Sequence, residues 1–194
     1  RDDVFFHKNA CFGLDSTRSV KAEDFVYSFK RLQDPNLASP GRWTLDPVED
    51  FWAESATELH IKLKYPFPPF AGVLTMKYCS VVPHEAVSYF GNSFRANPVG
   101  TGPFQFQLWE DGVKLVLRKN ANYFENEEGE QLPYLDAVAI TFIKDKQSAF
   151  LQFIQGKLDF ISGIDASYKD GILSILLPKK EEAKQKPARS IKIS

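Results

Sequence analysis

The histidines and cysteines of this sequence show no spacing typical of a catalytic or metal centre. The three histidines, His7, His60 and His84, are far apart, and the only cysteines are Cys11 and Cys79. Two cysteines form at most one disulfide and cannot build a four-cysteine zinc site. We expect both thiols to be unpaired and buried, because a free cysteine behaves as a small hydrophobic residue.

The acidic residues cluster where they would be poor acid–base catalysts. Four glutamates surround Gly129 in a hydrophilic stretch at residues 125–130. A general acid needs a desolvated position that raises its pKa, and a solvated loop does not supply one. The motifs GxSxG, HExxH and CxxC and the kinase signature are also absent from the sequence. The sequence therefore predicts a protein that is not an enzyme and that carries no metal or other cofactor.

A glycine-rich stretch at residues 97–104 has the composition of a phosphate-binding loop but not its pattern. It contains neither GxxxxGK[ST] nor GxGxxG. A strand pattern follows it, whereas an anion site would need a long helix with a positive N-terminus. We expect Gly100 and Gly102 to permit backbone geometry that a side chain would block.

Arg42 and Trp43 lie in a loop rich in proline, between residues 34 and 47. Loops lie on the surface, so an aromatic residue there either covers the core or contacts a ligand. The sequence leaves both roles open for Trp43.

The chain as a whole has the composition of an ordinary globular protein. Its 194 residues are 43% hydrophobic, 25% charged and 14% aromatic, with a net charge of −1. These values exclude disorder over the whole length. No apolar run approaches the roughly 20 residues that span a bilayer. The balanced charge gives no long-range attraction for nucleic acid, so no nucleic-acid partner is predicted.

Hydrophobic periodicity predicts a mixed α/β (α+β) fold. We expect helices at residues 19–32, 70–76, 84–90 and 147–155, and strands at 48–52, 58–64, 104–108, 113–117, 135–143 and 158–161. Asp111-Gly112 predicts a tight antiparallel hairpin. The strand–helix–strand pattern from 135 to 161 predicts one right-handed βαβ crossover beside the hairpins in a mixed sheet.

The last residues differ in composition from the rest of the chain. Residues 178–194 hold six basic and two acidic residues, and the stretch 179–186 has no apolar face. We expect a solvated tail that is poorly ordered unless it docks. Since no aromatic residue interleaves with its charges, a nucleic-acid arm is disfavoured.

Several segments together resemble the peptide-type (family 5) solute-binding proteins of ABC transporters, the oligopeptide- and dipeptide-binding proteins. Residues 20–32 (VKAEDFVYSFKRL), followed by Asp34-Pro35, carry the first resemblance. The later segments follow in the family's order: 59–63 (LHIKL), 66–70 (PFPPF), 82–83 (VP), 98–104 (PVGTGPF), 117–120 (LRKN), 123–124 (YF) and 156–159 (GKLD). The most specific is GTGPF followed by a hairpin and RxNxxY.

The resemblance implies an incomplete lobe of the periplasmic-binding-protein type II kind. Residues 1–167 would be part of the first lobe of a two-lobed protein, and residues 168–194 a divergent basic tail. On this interpretation the second lobe and the strands before Arg1 lie outside the chain. The isolated chain is then expected to expose apolar surface and to self-associate.

The resemblance also implies a function. Two lobes would close over a peptide or other small solute at the periplasmic or outer face of the cytoplasmic membrane and deliver it to ABC permease subunits. A signal or lipoprotein segment would precede the chain. The alternatives are a binding protein for nickel, haem or sugar on the same scaffold, and a hydrolase.

Four residues match family positions near the ligand. The loop at 39–45 resembles the one that reaches the cleft mouth, which implies ligand contact for Trp43 as a flat wall and for Arg42 as a partner of a ligand carboxylate. Gly163 and Asp165 lie in a turn that matches the crossing between lobes.

Overall fold

The computed structural model of the chain describes residues 2–13 and 16–162, together with the backbone of two short strands at 167–169 and 172–174. The chain divides into two compact units. Unit 1 comprises Arg1–Trp109 and Val116–Val138, and unit 2 comprises Glu110–Leu115 and Ala139–Ser194.

Short helices and strands alternate along the chain. The α-helices are α1 (Ala22–Gln33), α2 (Phe70–Leu74), α3 (His84–Phe90) and α4 (Lys146–Ile154). The strands are β1 (Val48–Ser55), β2 (Glu58–Leu63), β3 (Phe104–Glu110), β4 (Lys114–Lys119), β5 (Asn126–Glu127), β6 (Glu130–Gln131), β7 (Ala137–Thr141), β8 (Ser167–Lys169) and β9 (Ile172–Ser174). Four 3₁₀ turns lie at Ala10–Phe12, Arg42–Leu45, Lys77–Cys79 and Gly91–Ala96. None of the described helices has the length and apolarity that a membrane crossing requires.

The main hydrophobic cluster of unit 1 forms around α1 and the β1–β2 hairpin. Phe29, on the apolar stripe of α1, is 2% exposed and packs edge-on against Phe51 of β1 at 5.5 Å between ring centroids. The other buried members are Leu32, Leu45, Val48, Phe70 and Cys79. The helix stripe and the strand alternation predicted from the sequence therefore meet in one core.

The β1–β2 hairpin has one face on this core and one in solvent. The strands pair antiparallel, with Phe51 opposite Ile61 and Trp52 opposite His60. Ile61 packs against the core cluster, while Trp52 and His60 stack on each other at 5.1 Å on the outer face. His60 therefore lies on the solvated side of the hairpin, where its Nε2 contacts Glu58 Oε1 at 2.9 Å.

A second hydrophobic cluster in unit 1 surrounds the N-terminal segment. Phe6, Ala86 and Val99 are its buried members. The segment pairs with residues farther along the chain, since Phe6 N donates to Arg18 O at 3.0 Å and Val20 N to Val4 O at 2.9 Å. Phe6 is therefore held by a partner that follows it in the sequence.

Arg18 ties this cluster to two helices. Its guanidinium bonds both carboxylate oxygens of Asp24 at 2.7 and 2.8 Å and both of Glu85 at 2.6 and 2.7 Å. It also lies over the Phe6 ring at 5.1 Å. The contact with Arg18 holds the pKa of Glu85 below its usual range. Asp24 additionally accepts from Lys21 N at the start of α1, so the ion pairs and the helix cap share one carboxylate.

The largest sheet among the described residues has three strands in the order β3–β4–β7. A tight turn at Asp111 and Gly112 joins β3 to β4, with Gly112 at φ 70°, as the hairpin prediction requires. In unit 1 the ladder between β4 and β7 includes Lys119 N donating to Asp136 O at 2.7 Å. In unit 2 it includes Phe142 N donating to Val113 O at 2.9 Å.

The predicted βαβ crossover is wrong in its last element. Strand β7 and helix α4 form, and Gly156 at φ 68° ends the helical segment as expected. Residues 158–161 are not a strand, and Phe160 is 81% exposed. Leu151, which helical periodicity places on the apolar face of α4, is 56% exposed. A four-residue segment becomes a strand only when another strand pairs with it, and none does so among the described residues.

The predicted basic tail lies mostly outside the described residues. In its first part, the backbones of β8 and β9 pair antiparallel, with Tyr168 opposite Leu173. The division at residue 167 and the poor order expected of 168–194 stay predictions.

Candidate functional site

The loop that carries Arg42 and Trp43 is fixed at its base by close packing. A Cβ at Gly41 would lie 2.4 Å from Cβ and Cγ of Tyr78, so only glycine fits there without displacement. Thr44 is fully buried and its hydroxyl donates to Gly41 O at 2.7 Å. Leu45 is 2% exposed within the main core cluster. The loop is therefore attached to the core on one side only.

The other side of the same turn presents the two predicted ligand residues to solvent. Trp43 is 49% exposed, although both of its C-terminal neighbours are buried. Arg42 is exposed, and its guanidinium has no hydrogen-bond or ion-pair partner within the part of the chain that the structure describes. The turn thus offers a flat aromatic surface beside an uncompensated positive charge, held on an anchored backbone.

The glycine-rich turn is a second place where the backbone is held by side chains. His7 is 7% exposed; its Nε2 donates to Gly102 O at 2.9 Å and its Nδ1 accepts from Gly100 N at 3.4 Å. Asn120 donates from its side chain to Gly102 O at 3.0 Å. Both bonds of the imidazole use its neutral form, and burial lowers the pKa of His7 below its usual 6.5. The role expected for these glycines is wrong: neither has a positive φ, a Cβ at Gly100 would come no closer than 3.8 Å to His7, and a Cβ at Gly102 would meet nothing within 4 Å.

A cleft of about 430 Å³ opens beside this turn in unit 1. Its walls combine buried His7 with Thr101 and apolar side chains that include Phe104 and Leu117. The His7 imidazole already has a partner for each ring nitrogen. The described residues therefore give this cleft no free buried polar group with which to orient a ligand.

The carboxylates and thiols do not converge on a reactive centre in residues 2–13 and 16–162. No group of three or more His, Cys, Asp or Glu side chains in that range is placed to hold a metal ion. Cys11 and Cys79 are free thiols, of which only Cys79 is buried. Burial is the main cause that raises the pKa of the Cys11 thiol, and Glu85 adds to it.

The structure brings Arg42 and Trp43 together but leaves the other pair of predicted ligand residues undescribed. Gly163 and Asp165 both lie outside the described residues. The sequence reasoning also missed two residues that organise this part of the fold, Arg18 and His7. The available signal for His7 was the FFH run at 5–7, in which a titratable residue directly follows two apolar ones.

Comparison with known proteins decides the family. The model of the family described as "bacterial extracellular solute-binding proteins, family 5 Middle" matches residues 1–190 of the chain. The chain belongs to this family of solute-binding proteins. The resemblance seen in the sequence is thereby confirmed, as is the expectation that the chain comes from a binding-protein family and not from a family of enzymes.

Two bacterial relatives carry names that refer to oligopeptide binding. The oligopeptide-binding protein AppA of Bacillus subtilis is 36% identical over 160 residues, which cover 78% of this chain and 28% of that protein. The periplasmic oligopeptide-binding protein OppA of Salmonella typhimurium is 35% identical over 126 residues, which cover 55% of this chain and 23% of that protein. The chain thus spans about a quarter of the length of these relatives.

A solved structure gives the same picture of the fold. The periplasmic binding protein DppA of Helicobacter pylori, in complex with the peptide STSA, superposes with a TM-score of 0.69 at 25% identity. The match covers 81% of this chain and 33% of that protein. This chain is therefore a mixed α/β segment that matches about a third of a periplasmic peptide-binding protein.

Proposed function

We propose that the gene product containing this chain is the substrate-binding component of an ABC importer that captures oligopeptides outside the cytoplasmic membrane. Family membership, and relatives named for oligopeptide binding, support the proposal. In this proposal, residues 1–167 contribute part of the first of two lobes, and closure of the lobes retains the peptide until it reaches the permease.

The observation that carries the proposal for this chain is the anchored turn with an outward-facing Arg42–Trp43 pair. A recognition surface for varied peptides needs contacts that do not depend on one side chain. An indole face packs on many side chains, and a guanidinium binds the carboxylate that every unmodified peptide carries. Because Gly41, Thr44 and Leu45 fix the turn, little conformational freedom would be lost when a peptide binds.

The test is calorimetric titration of the intact gene product with short peptides that have free termini. We expect saturable binding, and we expect Trp43→Ala to weaken it by about 1–3 kcal/mol. Trp52→Ala is the matched control, since Trp52 is 40% exposed on the outer face of the β1–β2 hairpin. Equal losses for both tryptophans would contradict a specific contact at Trp43.

The role of Arg42 is tested with peptides that differ only at their C-terminus. We expect the intact protein to prefer a free carboxylate over the same peptide as its amide, and Arg42→Gln to reduce that preference. Arg118→Gln is the control, since Arg118 is also exposed. Binding of sugars, haem or Ni²⁺ without peptide binding would overturn the proposed substrate class, and hydrolysis of the peptides would overturn the binding role.

A further inference from the structure

Two 3₁₀ turns of unit 1 contact each other through their side chains. We propose that the turn at Lys77–Cys79 is a positioning element, which sets the orientation of Arg42 and Trp43 in the neighbouring turn at Arg42–Leu45. The contacts that carry this inference do not depend on the ligand, whereas its consequence for peptide affinity rests on the proposed function.

The ends of the turn that carries the two predicted ligand residues are joined at one carbonyl. Thr44 N donates to Gly41 O at 3.0 Å, and the Thr44 hydroxyl donates to the same oxygen at 2.7 Å. Arg42 and Trp43 are the two residues between these ends. The contact between Gly41 and Thr44 therefore fixes the backbone from which both side chains extend.

The second turn holds both of these ends. The Cys79 thiol donates to the Thr44 hydroxyl oxygen at 3.7 Å, which leaves the hydroxyl hydrogen for Gly41 O. Cβ and Cγ of Tyr78 lie 2.4 Å from the place that a Cβ at Gly41 would take. Because Tyr78 and Cys79 are neighbours in the sequence, a shift of this turn would move both ends of the other.

The side chain of Thr44 carries a group that packing alone does not require. It is fully buried, and a buried hydroxyl is costly unless its hydrogen bonds are made. Valine has nearly the same shape and would fill the same space without that requirement. The hydroxyl therefore contributes the bonds that define the turn, and through them the direction of Arg42 and Trp43.

The first experiment follows Trp43 directly and needs no peptide. The intact gene product is labelled with fluorotryptophan, and Trp43→Phe assigns the fluorine NMR resonance of Trp43. We expect Thr44→Val, which removes the hydroxyl and keeps the shape of the side chain, to shift or broaden that resonance. Thr44→Ser should preserve the resonance because it keeps the hydroxyl, although the loss of a buried methyl group lowers the denaturant midpoint.

Combined variants test the role of the second turn. Cys79→Ala should also shift the Trp43 resonance, and in a Thr44→Val background it should add nothing, because both residues act through one series of contacts. Ser28→Ala is the matched control, since the buried Ser28 hydroxyl donates to Asp24 O at 2.7 Å within α1. Its removal should leave the resonance unchanged. Circular dichroism of each variant checks that it is folded.

Calorimetric titration with a short peptide that has free termini measures the consequence for binding. Thr44→Val should raise the Kd by about 3- to 10-fold, as expected for one lost hydrogen bond, and Thr44→Ser should leave it unchanged. A Trp43 resonance insensitive to Thr44→Val and Cys79→Ala would overturn the positioning role, as would an equal response to Ser28→Ala. A responsive resonance in a protein that binds no peptide would support the positioning role and overturn the proposed function.

Discussion

Unit 1 and unit 2 both contain regular secondary structure, but they differ in how much of it is buried. Unit 1 contains both hydrophobic clusters, with Phe6 and Phe29 at most 2% exposed. Among the described residues of unit 2 none is buried, and helix α4 has no buried residue. Both units nevertheless contain helices and strands close to where the sequence predicts them.

This difference distinguishes the local contacts that begin and end a helix from the burial of side chains that stabilises it. Helix α4 forms with Asp145 accepting from Ser148 N at its start and a left-handed glycine after its end. Those local features define where α4 begins and ends, and they require no buried residue. Helix α1 has different end features, since Asp24 accepts from Lys21 N at its start and Pro35 follows its end, and it buries Phe29 and Leu32 against a hairpin. We therefore expect unit 1 to dominate the free energy of unfolding.

The sharpest test of this contrast compares two phenylalanines. Phe29→Ala should lower the free energy of unfolding by about 3–5 kcal/mol, because it opens a cavity in the main cluster. Phe160→Ala, at a side chain that is 81% exposed in unit 2, should change it by less than about 0.5 kcal/mol. Urea unfolding of the full chain measures both, and comparable losses would show that unit 2 has a core of its own.

A second test compares charged contacts in the two units. Arg18→Met leaves the carboxylates of Asp24 and Glu85 without their shared partner and should cost about 1.5–3 kcal/mol. Lys114→Met in unit 2 removes a single exposed contact to Glu110 at 3.9 Å and should cost about 0–1 kcal/mol. Thermal unfolding at low and high salt checks the assignment, since only the exposed pair should be weakened strongly by salt.

The smallest expected effect concerns pH. His7 in unit 1 has a pKa below its usual 6.5, so the unfolded chain binds its proton first as the pH falls. Stability should therefore decrease as the pH drops below about 6.5 and become level below the folded pKa. In unit 2 the pKa of Asp145 is lowered by its bonds to Ser148, so its contribution is lost only below its usual value of 3.8.

His7→Gln separates the two ranges of pH. The variant should lose the part of the pH dependence that lies just below pH 6.5 and keep the part below about pH 4. Denaturant midpoints measured from about pH 2.5 to pH 8 give the result. An unchanged profile would mean that His7 is equally protonated in the folded and unfolded chains.

Much of the fold was predictable because the signals are local. The apolar stripe of α1, the alternation of β2 and the glycine of the β3–β4 turn each act over a few residues. The failure at residues 158–161 has the opposite cause, since a short strand depends on a partner elsewhere in the chain. Leu151 was misplaced because helical periodicity identifies an apolar face without providing something to cover it.

The features of the candidate site likewise divide into those visible in the sequence and those that depend on the fold. Its loop position and the types of Arg42 and Trp43 were visible in the sequence, and the family resemblance gave them a role. Their exposure depends on Gly41 packing against Tyr78, which lies 37 positions farther along the chain. The clamp on the glycine-rich turn depends on a contact over 95 positions from His7 to Gly102 and on one over 18 positions from Asn120 to Gly102.

The sequence by itself determined the family, most element boundaries and the absence of recognised catalytic motifs, because each is written in residue types at short spacing. Only the tertiary structure decided which apolar faces are buried, which histidine is held neutral and which arginine lacks a partner within residues 2–13 and 16–162. Those properties depend on desolvation and on contacts between residues far apart in the chain, and no local pattern specifies either.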